Sequence, residues 1–136
     1  MLEYTFRTKL LYNELVIEGN LSVPTIDKRQ RIPDRVIDEM VRIIAEKFHP
    51  QKIILFGSYA YGQPSQLSDV DLLVIMITQL RASQQAMEIR QALRPLFGID
   101  ILVYTPEMLR QRIALGDSFL KEITERGVIM YESPDA

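Results

Sequence analysis

Two aspartates one residue apart open an apolar run in this chain. Ser-Asp-Val-Asp at 68–71 leads directly into the apolar segment 72–77. A carboxylate that faces an apolar sheet is costly unless something compensates its charge. Because side chains at i and i+2 of a strand share a face, Asp69 and Asp71 would point the same way. Two such carboxylates need a cation between them, and their oxygens suit a Mg²⁺ ion that also binds phosphate.

A turn of small residues precedes the aspartates. Gly57 and Ser58 follow the apolar segment 53–56. Glycine lets a backbone approach a phosphate closely, and the Ser58 hydroxyl can donate to phosphate oxygens at the start of a short helical segment. A tight turn explains a lone Gly-Ser pair as well. No lysine or arginine lies between Ser58 and Ser68, which separates this loop from a P-loop.

A third carboxylate stands in a later apolar segment. Asp100 lies between Ile99 and Ile101, on a predicted buried strand that begins after Gly98. An isolated carboxylate at this place is unfavourable without a partner. Pairing with an arginine and membership of a catalytic cluster both remain open from the residues alone.

Taken together, these motifs resemble the DNA polymerase β-like nucleotidyltransferases. Gly57-Ser58, Gly62 and the 68–71 segment stand at the spacing found in that family, and the short chain looks like its minimal nucleotidyltransferase (MNT) branch. The resemblance covers residues 33–131. Tyr59 and Tyr61 depart from it, because close relatives often carry arginine there; stacking on a base, contact with a partner protein and plain packing all remain open.

The resemblance implies a fold and a set of site residues. The expected fold is α/β (α+β), with a central mixed β-sheet flanked by helices and both carboxylate-bearing strands in central positions. Asp69, Asp71 and Asp100 are the implied catalytic and metal-binding residues for two Mg²⁺ ions. Gly57 and Ser58 are the implied nucleotide-binding residues, with ATP as the substrate.

The implied reaction is transfer of AMP from ATP to a hydroxyl group, with release of pyrophosphate. The MNT branch is often the antitoxin of HEPN/MNT toxin-antitoxin pairs, so the implied acceptor is a HEPN ribonuclease toxin. One alternative is adenylylation of an aminoglycoside or similar small alcohol, although such enzymes usually carry an extra helical domain. The other is a non-catalytic antitoxin that binds nucleotide and neutralises its toxin by stoichiometric contact.

Elements that position these residues follow from periodicity and from helix-end signals. Apolar residues recur at helical spacing from Pro33 to Phe48, and Pro50 ends that helix. A further helix is predicted from about Leu80 to Phe97, ended or bent by Pro95. Its predicted apolar side consists of Met87, Ile89, Leu93 and Leu96. The remaining predictions are a strand at 52–56, a helix capped by Thr105 and ended by Gly116, a helix with Phe119, Leu120 and Ile123 inward, and a strand at 128–131.

Length and composition bound the other possibilities. With 136 residues, 47% hydrophobic and 25% charged, the chain predicts one folded domain. The division expected is an extension at 1–31, which forms an edge hairpin or a partner-binding arm, and a nucleotidyltransferase domain at 32–136. The alternative for the extension is that Arg29 or Arg31 reaches a nucleotide phosphate, although a charged run is usually a solvated surface. The net charge of -2 gives no strong sign of nucleic-acid binding. Without cysteine or a long apolar segment, we expect a cytoplasmic location and no membrane contact, and the oligomeric state stays open.

Overall fold

Helices and strands alternate along the chain. The computed structural model describes residues 31–64, 68–95 and 97–135. The helices in these ranges are α1 (Asp34–Phe48), α2 (Ser58–Tyr61), α3 (Ala82–Leu93), α4 (Pro106–Ala114) and α5 (Ser118–Arg126). The strands are β1 (Lys52–Phe56), β2 (Val70–Ile75), β3 (Ile99–Tyr104) and β4 (Val128–Glu132).

The strands form one mixed sheet in the order β3-β2-β1-β4. β1 pairs antiparallel with both β2 and β4, whereas β2 and β3 are parallel. Parallel neighbours need a crossover connection, which α3 supplies here. The predicted mixed sheet flanked by helices is therefore confirmed.

The expectation that both carboxylate-bearing strands are central was wrong for β3. In the described part of the sheet, β2 lies between two neighbours, but β3 lies at an edge. Burial alternates along β3, so that Ile99 and Ile101 are buried while Asp100 between them is exposed. β3 is rich in apolar residues although it lies at an edge, because the side chains of Ile99, Ile101 and Val103 are buried beneath helices.

Helices cover both faces of the sheet. On one face, α1 and α3 pack over Leu72, Val74 and Val103; on the other, α4 and α5 pack over Leu73 and Ile75. Apolar residues at helical spacing explain this, since α1 alone buries Val36, Ile37, Met40, Val41, Ile43 and Ile44. β2 is thus covered on both sides, as its unbroken apolar run predicts.

The helix over residues 80–97 is shorter than predicted. It ends at Leu93, and the next residue, Arg94, has φ 50°, a left-handed conformation. Pro95 accounts for part of this, because proline disfavours the α conformation of the residue before it. Of the predicted apolar side, Ile89 and Leu93 are buried, but Met87 is 56% exposed. Leu96 lies outside the described residues.

Helix α4 has its predicted N-terminal cap and its predicted terminating glycine. The Thr105 side chain accepts a hydrogen bond from Met108 N at 3.1 Å, and Gly116 follows α4 with φ 97°. In α5, Leu120 and Ile123 are buried as predicted, but Phe119 is 54% exposed. The Phe119 ring packs edge to face against Phe56, with 5.8 Å between the two ring centroids.

Tyr59 ties the start of the described chain to the core. Its side chain is buried, and its hydroxyl accepts a hydrogen bond from Ile32 N at 2.9 Å. The guanidinium of Arg31 lies 5.3 Å from the Tyr59 ring centroid and pairs with Asp34 at 3.0 Å. These contacts favour packing as the role of Tyr59. They also engage Arg31, so they do not support the alternative in which Arg31 reaches a phosphate. Arg29 and the rest of the predicted 1–30 hairpin or arm lie outside the described residues.

No helix within the described ranges is both long and apolar enough to cross a bilayer.

Replacing Tyr59 by phenylalanine should destabilise the chain by about 1 to 2 kcal/mol, because the Ile32 amide loses its acceptor in a partly buried place. Tyr61→Phe is the matched control, since Tyr61 is 41% exposed and its replacement should stay within about 0.5 kcal/mol. Urea unfolding midpoints measure both effects. Equal midpoints for the two variants would show that the Tyr59 hydroxyl contributes nothing.

Candidate active site

Two of the predicted carboxylates lie side by side on neighbouring strands. Asp71 of β2 and Asp100 of β3 are partners in the parallel register. Neighbouring strands lie about 4.8 Å apart, and residues in register point to the same face of a sheet. Asp71 is half-buried and Asp100 is exposed. The pair stands where β2 and β3 begin and where the antiparallel β1 ends.

Asp69 reaches the same end of the sheet through space that a glycine leaves. It precedes β2 by one residue and lies beside Gly98, whose carbonyl accepts from Val70 N at 3.0 Å. A Cβ on Gly98 would overlap the Asp69 carboxylate. This role of Gly98 was not predicted from the sequence, where the available signal was a glycine two residues before Asp100.

The turn between β1 and α2 lies against Asp71. Phe56, the last residue of β1, pairs with Asp71, and Gly57 follows it with φ 72° and ψ -160°. This conformation is open essentially to glycine alone. A Cβ on Gly57 would overlap the Asp71 carboxylate, so the turn approaches it as closely as backbone can. Ser58 begins α2, and no hydrogen bond to its hydroxyl occurs among the described residues.

The three carboxylates act on one another electrostatically. Burial above all, then the negative charges of Asp100 and Asp69, raise the pKa of Asp71 from its ordinary 3.8 to about 6. The ion pairs in the described part of the chain involve none of the three. Their repulsion is therefore not relieved by a basic side chain there.

This donor set fits a divalent cation in its chemistry. Carboxylate oxygens are the ligands that Mg²⁺ prefers, and a cation would offset both the burial of the Asp71 charge and its repulsion by Asp100 and Asp69, which together raise the pKa of Asp71. As the side chains stand, however, no group of three or more acidic or histidine residues in the described ranges is arranged to hold a metal ion. The backbone gathers the carboxylates at one place without converging their oxygens.

Comparison with known proteins identifies the family. The family model described as a nucleotidyltransferase domain matches residues 37–130, well over half of the chain. The chain belongs to the nucleotidyltransferase domain family. This confirms the family expected from the Gly-Ser and Asp-x-Asp motifs, and with it that the protein is a transferase enzyme.

This nucleotidyltransferase is also similar to individual known proteins. It is 28% identical over 102 residues to a Methanocaldococcus jannaschii protein named "Putative protein adenylyltransferase MJ0604", a match that covers 72% of this chain and 97% of the relative. Among solved structures, one of a toxin-antitoxin with AMP-PNP is 19% identical with a TM-score of 0.50, covering 72% of this chain and 75% of that one. A "putative nucleotidyltransferase" from Sulfolobus solfataricus is 18% identical with a TM-score of 0.49, covering 71% and 77%.

The stability of the metal-free enzyme should depend on Asp71. Its pKa is higher in the folded chain than its ordinary 3.8, so Asp71 favours folding most below about pH 4 and loses that contribution as the pH rises through about 6. Asp71→Asn removes this loss. With EDTA present, we expect the variant to have a higher Tm than the parent at pH 7.5 and no advantage at pH 4.

Asp135→Asn, an exposed position near the end of the chain, is the matched control and should give no gain at either pH. A Tm gain for Asp71→Asn that is equal at pH 4 and pH 7.5 would contradict the electrostatic origin.

Gly57→Ala should destabilise the fold by about 1 to 3 kcal/mol, because alanine must adopt a glycine-only conformation and displace the Asp71 carboxylate. Gly62→Ala tests strain alone: Gly62 has φ 81° and ψ 13°, with nothing within 4 Å of an added Cβ. Its cost should be smaller, about 1 kcal/mol. Denaturant unfolding of both variants measures these losses of stability. An equal loss for Gly57→Ala and Gly62→Ala would mean that the overlap with Asp71 adds nothing to the cost.

Proposed function

We propose that this nucleotidyltransferase moves AMP from ATP to a hydroxyl group of a partner protein, in a reaction that depends on Mg²⁺. The observation that carries the proposal is the register pairing of Asp71 with Asp100 beside the Gly57-Ser58 turn. The M. jannaschii relative named for protein adenylylation, matched over 97% of its length, supports the choice of a protein as acceptor.

The chain's own residues have defined roles in this proposal. Asp69, Asp71 and Asp100 would hold two Mg²⁺ ions, which when bound neutralise charge on the triphosphate and on departing pyrophosphate. Gly57 keeps the turn close to Asp71, and the Ser58 hydroxyl donates to a phosphate oxygen. Asp100, on the exposed edge strand, takes the proton of the acceptor hydroxyl. The acceptor oxygen then bonds to the α-phosphorus, the bond to the β-phosphate oxygen breaks, and pyrophosphate leaves.

The partner is proposed to be a HEPN ribonuclease toxin, silenced by the added AMP. The MNT motifs of residues 57–71 favour this partner. The structural neighbour solved as a toxin-antitoxin with AMP-PNP supports both a toxin partner and an adenine nucleotide. A cytoplasmic location, a nucleotidyltransferase domain at 32–136 and a hairpin or partner-binding arm at 1–31 complete the proposal.

One observation favours a second candidate, a binding-only antitoxin. In the described ranges, no three acidic side chains converge as a metal site requires. An enzyme must bring Asp69, Asp71 and Asp100 together when nucleotide and metal bind, whereas a stoichiometric inhibitor need not. The difference is open to direct measurement.

Transfer can be tested with two differently labelled nucleotides. The chain is incubated with Mg²⁺, the protein encoded by the neighbouring reading frame, and ATP labelled at the α- or the γ-phosphate. We expect the α-label on the partner and no γ-label, because pyrophosphate carries the γ-phosphate away. Asp69→Asn should lower the rate by at least about 100-fold, the scale of losing one electrostatic stabiliser.

Asp38→Asn, an exposed carboxylate on α1, is the control and should transfer label at the parent rate. Transfer of the γ-label would indicate a kinase instead. A partner neutralised without any label would support stoichiometric binding and contradict transfer.

A further inference from the structure

Within the described residues, the β3 edge of the sheet is regular and pairs with no further strand. β3 pairs with β2 without interruption from Val70↔Ile99 to Ile75↔Tyr104. At the opposite edge, the register of β4 on β1 shifts between Ile53 and Ile54. A bulge of that kind is one of the ways in which proteins discourage pairing at an edge strand. β3 carries no bulge and no proline or lysine, so it keeps the geometry that a further strand requires.

The backbone groups of β3 alternate in direction along the strand. The Gly98 carbonyl accepts from Val70 N and the Tyr104 carbonyl from Met76 N, each at 3.0 Å. Even-numbered residues of β3 thus bond to β2, and the N–H and C=O groups of the odd-numbered ones point outward. No hydrogen bond within the described residues reaches the outward groups of Ile101 or Val103.

A groove runs along this edge. It has a volume of about 620 Å³ and lies between α3 and the start of α4, with β3 as its floor. Ala82 and Ala86, one helical turn apart, keep the α3 wall low, while Met87 and Met108 form exposed apolar rims. A strand added here would find backbone partners on its floor and apolar contacts on both sides.

Charge in the groove suggests what the occupant carries. Arg90, near the end of α3, donates to the Ile99 carbonyl at 2.6 Å at the start of β3. Arg81 lies nine residues earlier, roughly 13 Å along the helix, and has no ion-pair partner among the described residues. The far end of the groove therefore presents a free cation, and the near end presents Asp100.

We infer that the outer edge of β3 is the docking site for an extended acidic segment of the protein acceptor. The segment pairs as a strand with Ile101 and Val103, places its hydroxyl residue at Asp100 and sets a carboxylate against Arg81. This docking site rests on the proposed function, and it supplies what a small catalytic domain needs in order to hold a macromolecular acceptor.

Amide hydrogen exchange measured by NMR tests strand addition directly. The Asp69→Asn chain is used with the neighbouring gene product, so that turnover does not release the acceptor. We expect the Ile101 and Val103 amides to exchange fast in the free chain and at least about 10-fold more slowly in the complex. The Leu102 and Tyr104 amides bond to β2 and should be slow in both states, which makes them an internal control.

A pair of arginine variants tests the charge. Arg81→Glu should raise the KM for the protein acceptor by about 10-fold and leave the KM for ATP unchanged. Arg110→Glu makes the same charge change at an exposed position of α4 that does not line the groove. It should leave the KM for the protein acceptor and the KM for ATP at the parent values. An equal effect of the two substitutions would overturn the contact at Arg81.

The outcomes separate the docking site from the proposed transfer. Label on the partner with unchanged exchange at Ile101 and Val103 would overturn the docking site while the transfer stands. Slow exchange of both amides in the free chain would also overturn it, because the edge would already be covered by this chain or by a second copy. Slowed exchange without label would support docking at β3 and contradict adenylylation.

Discussion

Repulsion between like charges is the constraint on which this structure is built. Asp69, Asp71 and Asp100 meet at one end of a sheet, where burial first, and then the negative charges of Asp100 and Asp69, raise the pKa of Asp71. Such a cluster persists only because the surrounding backbone fixes it. The in-register pairing of β2 with β3 sets the distance between two of the carboxylates, and the buried faces of β2 resist any slip.

The two glycines at the site serve the same constraint. Gly57 and Gly98 each stand where a side chain would collide with one of the carboxylates. One brings the β1 turn against Asp71, and the other opens space for Asp69. The arrangement of the carboxylates therefore depends on glycine at both positions as well as on the acidic residues themselves.

Local signals predicted most of the elements, and long-range pairing limited the rest. The β1 bounds follow from Pro50 and Gly57 on either side, and both can be recognised without a structure. The edge position of β3 could not be predicted, since the number of neighbours a strand has depends on chain elsewhere. The early end of α3 depends on Arg94 adopting a left-handed conformation, which arginine rarely does.

The three carboxylates could be singled out as candidates for a related reason. A carboxylate inside an apolar segment is conspicuous, whereas a glycine is not, so Asp71 was proposed as a site residue from the sequence, but the space that Gly98 leaves for Asp69 was not predicted. The role of Tyr59 likewise depends on a residue distant in sequence, because its hydroxyl accepts a hydrogen bond from the Ile32 N–H. Contacts between distant residues are what periodicity and composition leave out.

The placement of Asp100 on an edge strand ties two binding events together. Asp71 sits on an interior strand fixed from both sides, but β3 is held by β2 alone within the described sheet. Anything that pairs with the outer side of β3 would also steady Asp100 against its neighbour. By thermodynamic reciprocity, an ion that steadies the same carboxylate would then tighten acceptor binding by an equal factor. In the proposed reaction, such coupling would order Asp100 most fully when the metal ion and the protein acceptor are bound together.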